Sequence, residues 1–208
     1  MSSVQDLNLN LNGLLFHYRD WGGNGQPLLL LHGLSSNARF WDLAAPYLVR
    51  EFRVLALDQR GHGTSAKTAA GYDFPSVAGD VATFVDSLKL QNTIIVGHSW
   101  GGNVGVQVAV DYPGLLAGLV CIDGGFVEIT NVSGATWEKI EKMLAPPDFA
   151  ALRLSWEELQ NGMHNRGMDT LWQGNLEPFL QANFDIQEDG TVLPRLRRRF
   201  EYPTMHLF

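Results

Sequence analysis

Short apolar runs alternate with amphipathic segments over the first 125 residues. Four mostly apolar runs predict buried strands, at 27–31, 53–57, 93–97 and 118–123. Helices are predicted at 39–52 and 103–112, and a third presents Val77, Val81, Phe84, Val85 and Leu88 on one face. Apolar strands that alternate with helices indicate an α/β fold, with a mostly parallel sheet covered by helices on both faces.

The two ends of the chain depart from this alternation. Residues 4–10 and 14–21 predict an antiparallel hairpin before the first parallel strand. From Phe126 onward strand signals nearly vanish, and a capping box at 155–158 predicts the start of a short helix. Residues 187–194 predict a turn and a short extended piece. We therefore predict a core over 1–125 and a helical cap insertion over 126–208.

Composition narrows the possible partners and the compartment. The net charge is −7, from 15 Lys and Arg against 22 Asp and Glu, which argues against nucleic acid or an anionic membrane as a partner. Cys121, the single cysteine, lies in an apolar run and is expected to be a small buried residue. Residues 1–10 lack the features of a signal peptide, and no apolar run approaches the ~20 residues of a membrane span. We expect a cytoplasmic protein.

Residues 97–101, Gly-His-Ser-Trp-Gly, place Ser99 between a predicted strand and a predicted helix. A nucleophile on such a sharp turn has a strained backbone, so Gly97 and Gly101 must lack side chains. The turn also places Ser99 at a helix N-terminus, which favours the negative charge of an acyl-transfer intermediate. The alternative is a strand-to-helix turn whose glycines serve packing alone.

Polar residues follow all four predicted parallel strands. They are His32, Asp58, Ser99 and Asp123. Ligands of parallel sheets bind at the carboxyl ends of the strands, so this clustering predicts a site there.

Three segments together resemble the α/β-hydrolase superfamily, within its esterase, C–C hydrolase and haloperoxidase-like group. They are 28–36 (LLLLHGLSS), 57–65 (LDQRGHGTS) and 96–102 (VGHSWGG). The resemblance implies that Ser99 is the nucleophile and that the backbone N–H groups of Leu34 and Trp100 form the oxyanion hole. His17, His32, His98 and Asp58 are expected to be structural. The Trp100 side chain could face either the pocket or the core.

The resemblance also implies an acid and then a histidine after Ser99 along the chain. Asp123, His164 and His206 are weak candidates. We expect the acid and the base to lie beyond residue 208, with this chain forming the amino-terminal portion of the fold and lacking its last strands. The last residues, with Met205, Leu207 and Phe208, are more apolar than chain ends usually are.

The predicted function is hydrolysis of a small ester or related carbonyl compound, without cofactor or metal. Relatives that open epoxides or displace halides carry aspartate at the elbow, whereas this chain carries Ser99. Aromatic and methionine residues of the insertion suggest an apolar or aromatic acyl group in the substrate, although they could at least as well pack the cap against the core. They are Trp137, Met143, Phe149, Trp156, Met163, Trp172 and Phe179. An inactive binding protein, and a perhydrolase or haloperoxidase-like enzyme using the same serine, are the alternatives.

Overall fold

The computed structural model describes residues 3–125, 136, 139, 149–168, 170 and 175–196. Its strands are β1 (Gln5–Leu11), β2 (Leu14–Gly22), β3 (Gln26–Leu31), β4 (Phe52–Leu57), β5 (Thr93–His98), β6 (Leu116–Ile122), β7 (Phe184–Ile186) and β8 (Val192–Pro194). A 3-10 helix covers Ala38–Trp41. The α-helices are α1 (Ala45–Leu48), α2 (Phe74–Ser87), α3 (Trp100–Asp111), α4 (Phe149–Leu152), α5 (Trp156–His164) and α6 (Leu176–Asn183).

Six strands form one mixed sheet in the order β1-β2-β4-β3-β5-β6. The pairs β4–β3, β3–β5 and β5–β6 are parallel, whereas β1–β2 and β2–β4 are antiparallel. The predicted hairpin and the mostly parallel sheet are both confirmed. The four parallel strands end at one edge, and His32, Asp58, Ser99 and Asp123 each follow a strand end directly.

Helices cover both faces of this sheet, as predicted. Alternate residues of β3 and β4 point to opposite sides, because strand side chains have a period of two. Leu29, Leu31, Leu55 and Leu57 pack with apolar residues of α2 and α3. Leu28, Leu30, Val54 and Ala56 pack with the 3-10 helix and α1. The strand ends are thereby fixed between two cores.

The predicted helix over 39–52 is wrong as a single element. The structure has the 3-10 helix and then α1, which ends at Leu48. Pro46 lies in the first turn of α1. Proline has no N–H to bond the carbonyl four residues earlier, and it disfavours helical geometry in the residue before it.

The run at 118–123 forms a strand, but its predicted burial is wrong. Within the described sheet, β6 pairs only with β5 and lies at the edge. Val120 and Ile122 are 47% and 42% exposed, and Cys121 is only half-buried. Apolar composition alone does not distinguish an edge strand from a central one, which explains the error.

Beyond residue 149 the described residues form short helices and one small hairpin. The predicted capping box is present, with Ser155 and Glu158 exchanging hydrogen bonds at the start of α5. The predicted turn and extended piece form the β7–β8 hairpin. Trp156, Met163 and Phe179 pack against a small apolar cluster. The cluster is formed by Leu159, Leu176, Leu180, Phe184 and Val192.

Part of the insertion lies outside this description. Trp137, Met143 and Trp172 are not among the described residues, and only the backbone of Phe149 is described. The division between core and cap at 125 therefore stays a prediction. Within the described residues, no helix has both the length and the apolar character to cross a membrane.

Candidate active site

Ser99 occupies a strained turn between β5 and α3. Its φ of 51° and ψ of −119° lie in a region that residues with side chains rarely adopt. Such a conformation costs about 1–3 kcal/mol and persists only when its surroundings impose it. The helix begins at Trp100, three residues before its predicted start, so Ser99 is itself the N-cap. The sequence motif thus folds as the predicted elbow.

Two glycines permit this turn by close backbone contact. A β-carbon on Gly97 would overlap the carbonyl group of Gly101. A β-carbon on Gly101 would lie 2.5 Å from the carbonyl oxygen of Leu31 and 2.6 Å from that of His32. Real β-carbons do not approach backbone atoms this closely. The start of α3 is therefore pressed against the end of β3.

Two further glycines bring backbone to Ser99 from either side. A β-carbon on Gly33 would lie 3.3 Å from that of Ser99. On the other side, a β-carbon on Gly124 would overlap the backbone of Ser99. The next residue, Gly125, donates its N–H to Asn103 Oδ1 at 2.7 Å, which ties the end of β6 to α3. Gly124 and Asn103 were not identified as site residues from the sequence. The one signal for them was the pair of glycines, Gly124 and Gly125, that follows a predicted strand.

The proposed oxyanion donors lie on the two segments that meet at this turn. Leu34 follows Gly33 in the loop after β3, and Trp100 follows Ser99. Neither backbone N–H donates to a backbone or side-chain acceptor among the described residues. The N–H of Trp100 lies in the first turn of α3, where backbone donors lack an intrahelical partner, and such donors suit an anionic ligand.

The loop that carries Leu34 is anchored at its start by His32 and Gln59. His32 is buried and donates from Nδ1 to the Gly33 carbonyl at 2.8 Å. Its Nε2 accepts the Gln59 N–H at 3.1 Å, and the Gln59 amide donates to the His32 carbonyl at 2.7 Å. Burial lowers the pKa of His32, so the ring is neutral and structural, as the resemblance implied. Gln59 was not identified from the sequence.

The same loop is anchored at its far end by Asp58. Its Oδ1 accepts the Ala38 N–H at 2.6 Å, and its Oδ2 accepts the Thr64 N–H at 3.0 Å and His17 Nδ1 at 2.8 Å. Burial alone would raise the pKa of Asp58, but the hydrogen bond and charge of His17 lower it to about 2. Asp58 is thus a buried, ionised anchor, which agrees with its expected structural role.

Aromatic rings pack around the elbow. His98 stacks on Phe40 with ring centroids 4.5 Å apart. The Trp100 ring lies 5.2 Å from His62 and packs at the margin of the core formed with α2 and α3. Burial, followed by repulsion from His32, lowers the pKa of His62 to about 3. For the Trp100 side chain, which the sequence left open, the structure shows core packing.

Among the residues that the structure describes, no base is in hydrogen-bond contact with Ser99. Its Oγ makes no hydrogen bond with any described residue. Asp123 follows Ile122, whose carbonyl accepts the Ser99 N–H at 2.8 Å, and its side chain is exposed. His164 is exposed at the end of α5, and His206 lies outside the described residues. Among the described residues, therefore, no acid–base pair accompanies Ser99, and the roles of Ser99 as nucleophile and of Leu34 and Trp100 as oxyanion donors stay predictions.

Comparison with known families agrees with this geometry. The family model described as alpha/beta hydrolase fold matches residues 26–176, well over half of the chain. The chain belongs to the α/β-hydrolase fold family. A matching solved structure, E-2-(acetamidomethylene)succinate hydrolase, superposes with a TM-score of 0.67 over 95% of this chain and 70% of that one. At 21% identity this likeness shows the fold alone.

Two curated members of the α/β-hydrolase fold family align with this chain over only part of their own length. The sn-1-specific diacylglycerol lipase ABHD11 of Xenopus laevis is 30% identical over 190 residues, or 88% of this chain and 57% of the lipase. The soluble epoxide hydrolase of Corynebacterium sp. (strain C12) is 37% identical over 113 residues, or 54% of this chain and 39% of that enzyme. The chain thus spans about two fifths to three fifths of these two relatives.

Proposed function

We propose that this protein is a serine hydrolase that forms an acyl-enzyme on Ser99. The observation that carries the proposal is the strained backbone of Ser99 between Gly97 and Gly101, at the N-terminus of α3. Packing alone does not require a serine with a φ of 51° at the meeting point of four strand ends. The substrate class is a small ester or a related carbonyl compound.

The reaction follows from the groups that surround Ser99. Its Oγ attacks the carbonyl carbon, and the carbonyl oxygen becomes an anion that the N–H groups of Leu34 and Trp100 stabilise. Each such donor typically contributes ~10²–10³ in kcat. The leaving alcohol takes the proton that a base removed from Ser99, and water then hydrolyses the acyl group.

The base is proposed to be a histidine outside the described residues. No described group hydrogen-bonds Ser99 Oγ, and in this fold the histidine follows the serine and the acid along the chain. Asp123 is the candidate acid among the described residues. It directly follows Ile122, whose carbonyl accepts the Ser99 N–H, and its side chain is exposed. The lack of a described hydrogen-bond partner for Ser99 Oγ also favours the second candidate function, an inactive binding protein.

Ester rather than epoxide chemistry is proposed from the identity of the nucleophile. An acyl group on a serine is bound as an ester and is released by hydrolysis. One of the relatives is a diacylglycerol lipase, and a lipase also hydrolyses ester bonds. The epoxide hydrolase relative matches at 37% identity, but the resemblance implies aspartate at the elbow of such enzymes. An apolar or aromatic acyl group is the proposed preference, although Trp156, Met163 and Phe179 pack in the cap's own cluster.

A fluorophosphonate probe is expected to label the intact protein, and Ser99→Ala is expected to abolish labelling, because the probe reacts with an activated serine. Mass spectrometry of the labelled protein measures the result. Ser87→Ala, at the exposed end of α2, is the matched control and should label like the unaltered protein. Labelling that survives Ser99→Ala would contradict the nucleophile assignment, and no labelling of the unaltered protein would favour the binding protein.

A further inference from the structure

His17 lies between two carboxylates. Its Nδ1 is 2.8 Å from Asp58 Oδ2, and its Nε2 is 3.1 Å from Asp6 Oδ1. An ionised carboxylate only accepts hydrogen bonds, so each contact requires a proton on the ring nitrogen. Both contacts exist together only when the imidazole is doubly protonated. Neutral His17 can keep one of them.

The contact with Asp58 connects His17 to the loop that carries Leu34. Asp58 holds the Ala38 N–H at 2.6 Å, at the point where that loop enters the 3-10 helix. Gln59 holds the other end of the loop through His32. Between these anchors Ser35 has a φ of 60°, a conformation that a non-glycine residue keeps only under constraint. Consecutive residues 58 and 59 therefore fix both ends of the oxyanion loop, residues 33–37.

We propose that His17 is a positioning residue for the oxyanion loop, acting through Asp58, and that loss of the second imidazole proton loosens the loop's far anchor. The doubly protonated ring holds the Asp58 carboxylate by the attraction of opposite charges as well as by the hydrogen bond, whereas a neutral ring offers the hydrogen bond alone. Without that attraction the orientation of the carboxylate is held less firmly, and with it the position of Oδ1 against the Ala38 N–H. The consequence for catalysis rests on the proposed function, whereas the link from His17 to Ala38 does not.

The carboxylates around His17 favour the protonated form of its ring. They come from several elements: Asp6 on β1, Arg19 on β2, Arg39 on the 3-10 helix, Asp58 after β4, and Arg195 after β8. Burial lowers the pKa of His17, but the hydrogen bond and charge of Asp58 and the charge of Asp6 raise it above its ordinary 6.5. Arg39 and Arg195 line the same cleft of about 380 Å³ and act in the opposite direction. The anchor is complete below this raised pKa and weakens as the pH rises through it.

Two variants separate the donor from the charge. His17→Asn places an amide N–H near the position of Nδ1, so it keeps a donor to Asp58 but cannot titrate. His17→Leu removes the donor and leaves Asp58 with its two backbone partners only. Arg53→Gln is the matched control, because it removes an ion pair with Asp20 between the same two parts of the sheet, β2 and β4, at a distance from the loop.

The direct test is an NMR titration of the intact protein. The His17 ring nitrogens and the Ala38 amide are expected to titrate with one common midpoint above pH 6.5. In His17→Asn the Ala38 amide should lose this midpoint, and in His17→Leu it should exchange faster with solvent at every pH. Arg53→Gln should leave the midpoint unchanged. An Ala38 amide that neither follows His17 nor responds to His17→Leu overturns the proposal.

The second readout is the rate of Ser99 phosphonylation across the same pH range. His17→Leu is expected to slow it about 10- to 100-fold, as small misplacements in an active site do. The ratio of unaltered protein to His17→Asn should fall as the pH rises through the His17 midpoint, and a constant ratio contradicts the effect on the site. If Ser99 reacts in no variant, the proposed function fails, and the amide titration still decides the role of His17.

Discussion

Gly101→Val is expected to leave no soluble, active protein. A β-carbon at this position would lie 2.5 and 2.6 Å from two carbonyl oxygens of the β3 end, and the remaining valine atoms would add further overlap. Overpacking costs about 1–3 kcal/mol where side chains can move aside, and more where the obstacle is sheet backbone. Domains of this size are stable by only about 5–15 kcal/mol in total. Soluble yield, thermal unfolding and probe labelling measure the effect.

Gly162→Val is the matched control, since Gly162 also lies within a helix, α5, with no atom within 4 Å of an added β-carbon. This variant should stay folded and label normally, because valine has a better helix propensity than glycine. A soluble Gly101→Val protein that labels at the unaltered rate would show that the contact between α3 and β3 is absent, and the elbow geometry with it.

Asp58→Asn is expected to lower the free energy of unfolding by about 3–5 kcal/mol, the usual cost of breaking a buried ion pair from one side. The carboxylate accepts from Ala38, Thr64 and His17. An asparagine amide presents an NH₂ group to at least one of these donors and leaves His17 without its buried counter-charge. Urea unfolding at constant pH measures the change.

Arg153→Gln is the control for the loss of an ion pair as such. Arg153 pairs with Asp189 at 2.9 Å, with both side chains largely exposed. Solvent screens exposed pairs so that they contribute little to stability, and this variant should unfold close to the unaltered protein. Equal effects of the two substitutions would contradict the role of Asp58 as a buried anchor.

The strand ends and the elbow could be predicted from sequence because their signals are local. Apolar runs of five or six residues set β3, β4 and β5, and the glycines around Ser99 set the turn. Burial of β6 could not be predicted, because it depends on whether a further strand pairs with Val120 and Ile122. Pro46, where the predicted helix is broken, is visible in the sequence, but the segment was interpreted as one continuous helix.

The residues that hold the site in place were harder to predict from the sequence than the candidate nucleophile. Gln59 contacts His32 across 27 positions of the chain, and His17 contacts Asp58 across 41. Neither pairing leaves a spacing pattern, since each depends on the order of the strands in the sheet. The positions of Leu34 and Trp100 followed from the resemblance and from the elbow, and the structure adds that their N–H groups are unengaged among the described residues.

The measurement that tests the central claim most directly is trapping of the acyl-enzyme. The intact protein is mixed with a short p-nitrophenyl ester, quenched in acid within seconds and digested for mass spectrometry. The account predicts that the mass of the acyl group is found on Ser99, and that Ser99→Ala carries none. Acyl transfer confined to another residue, or ester turnover that is unchanged in Ser99→Ala, would contradict it.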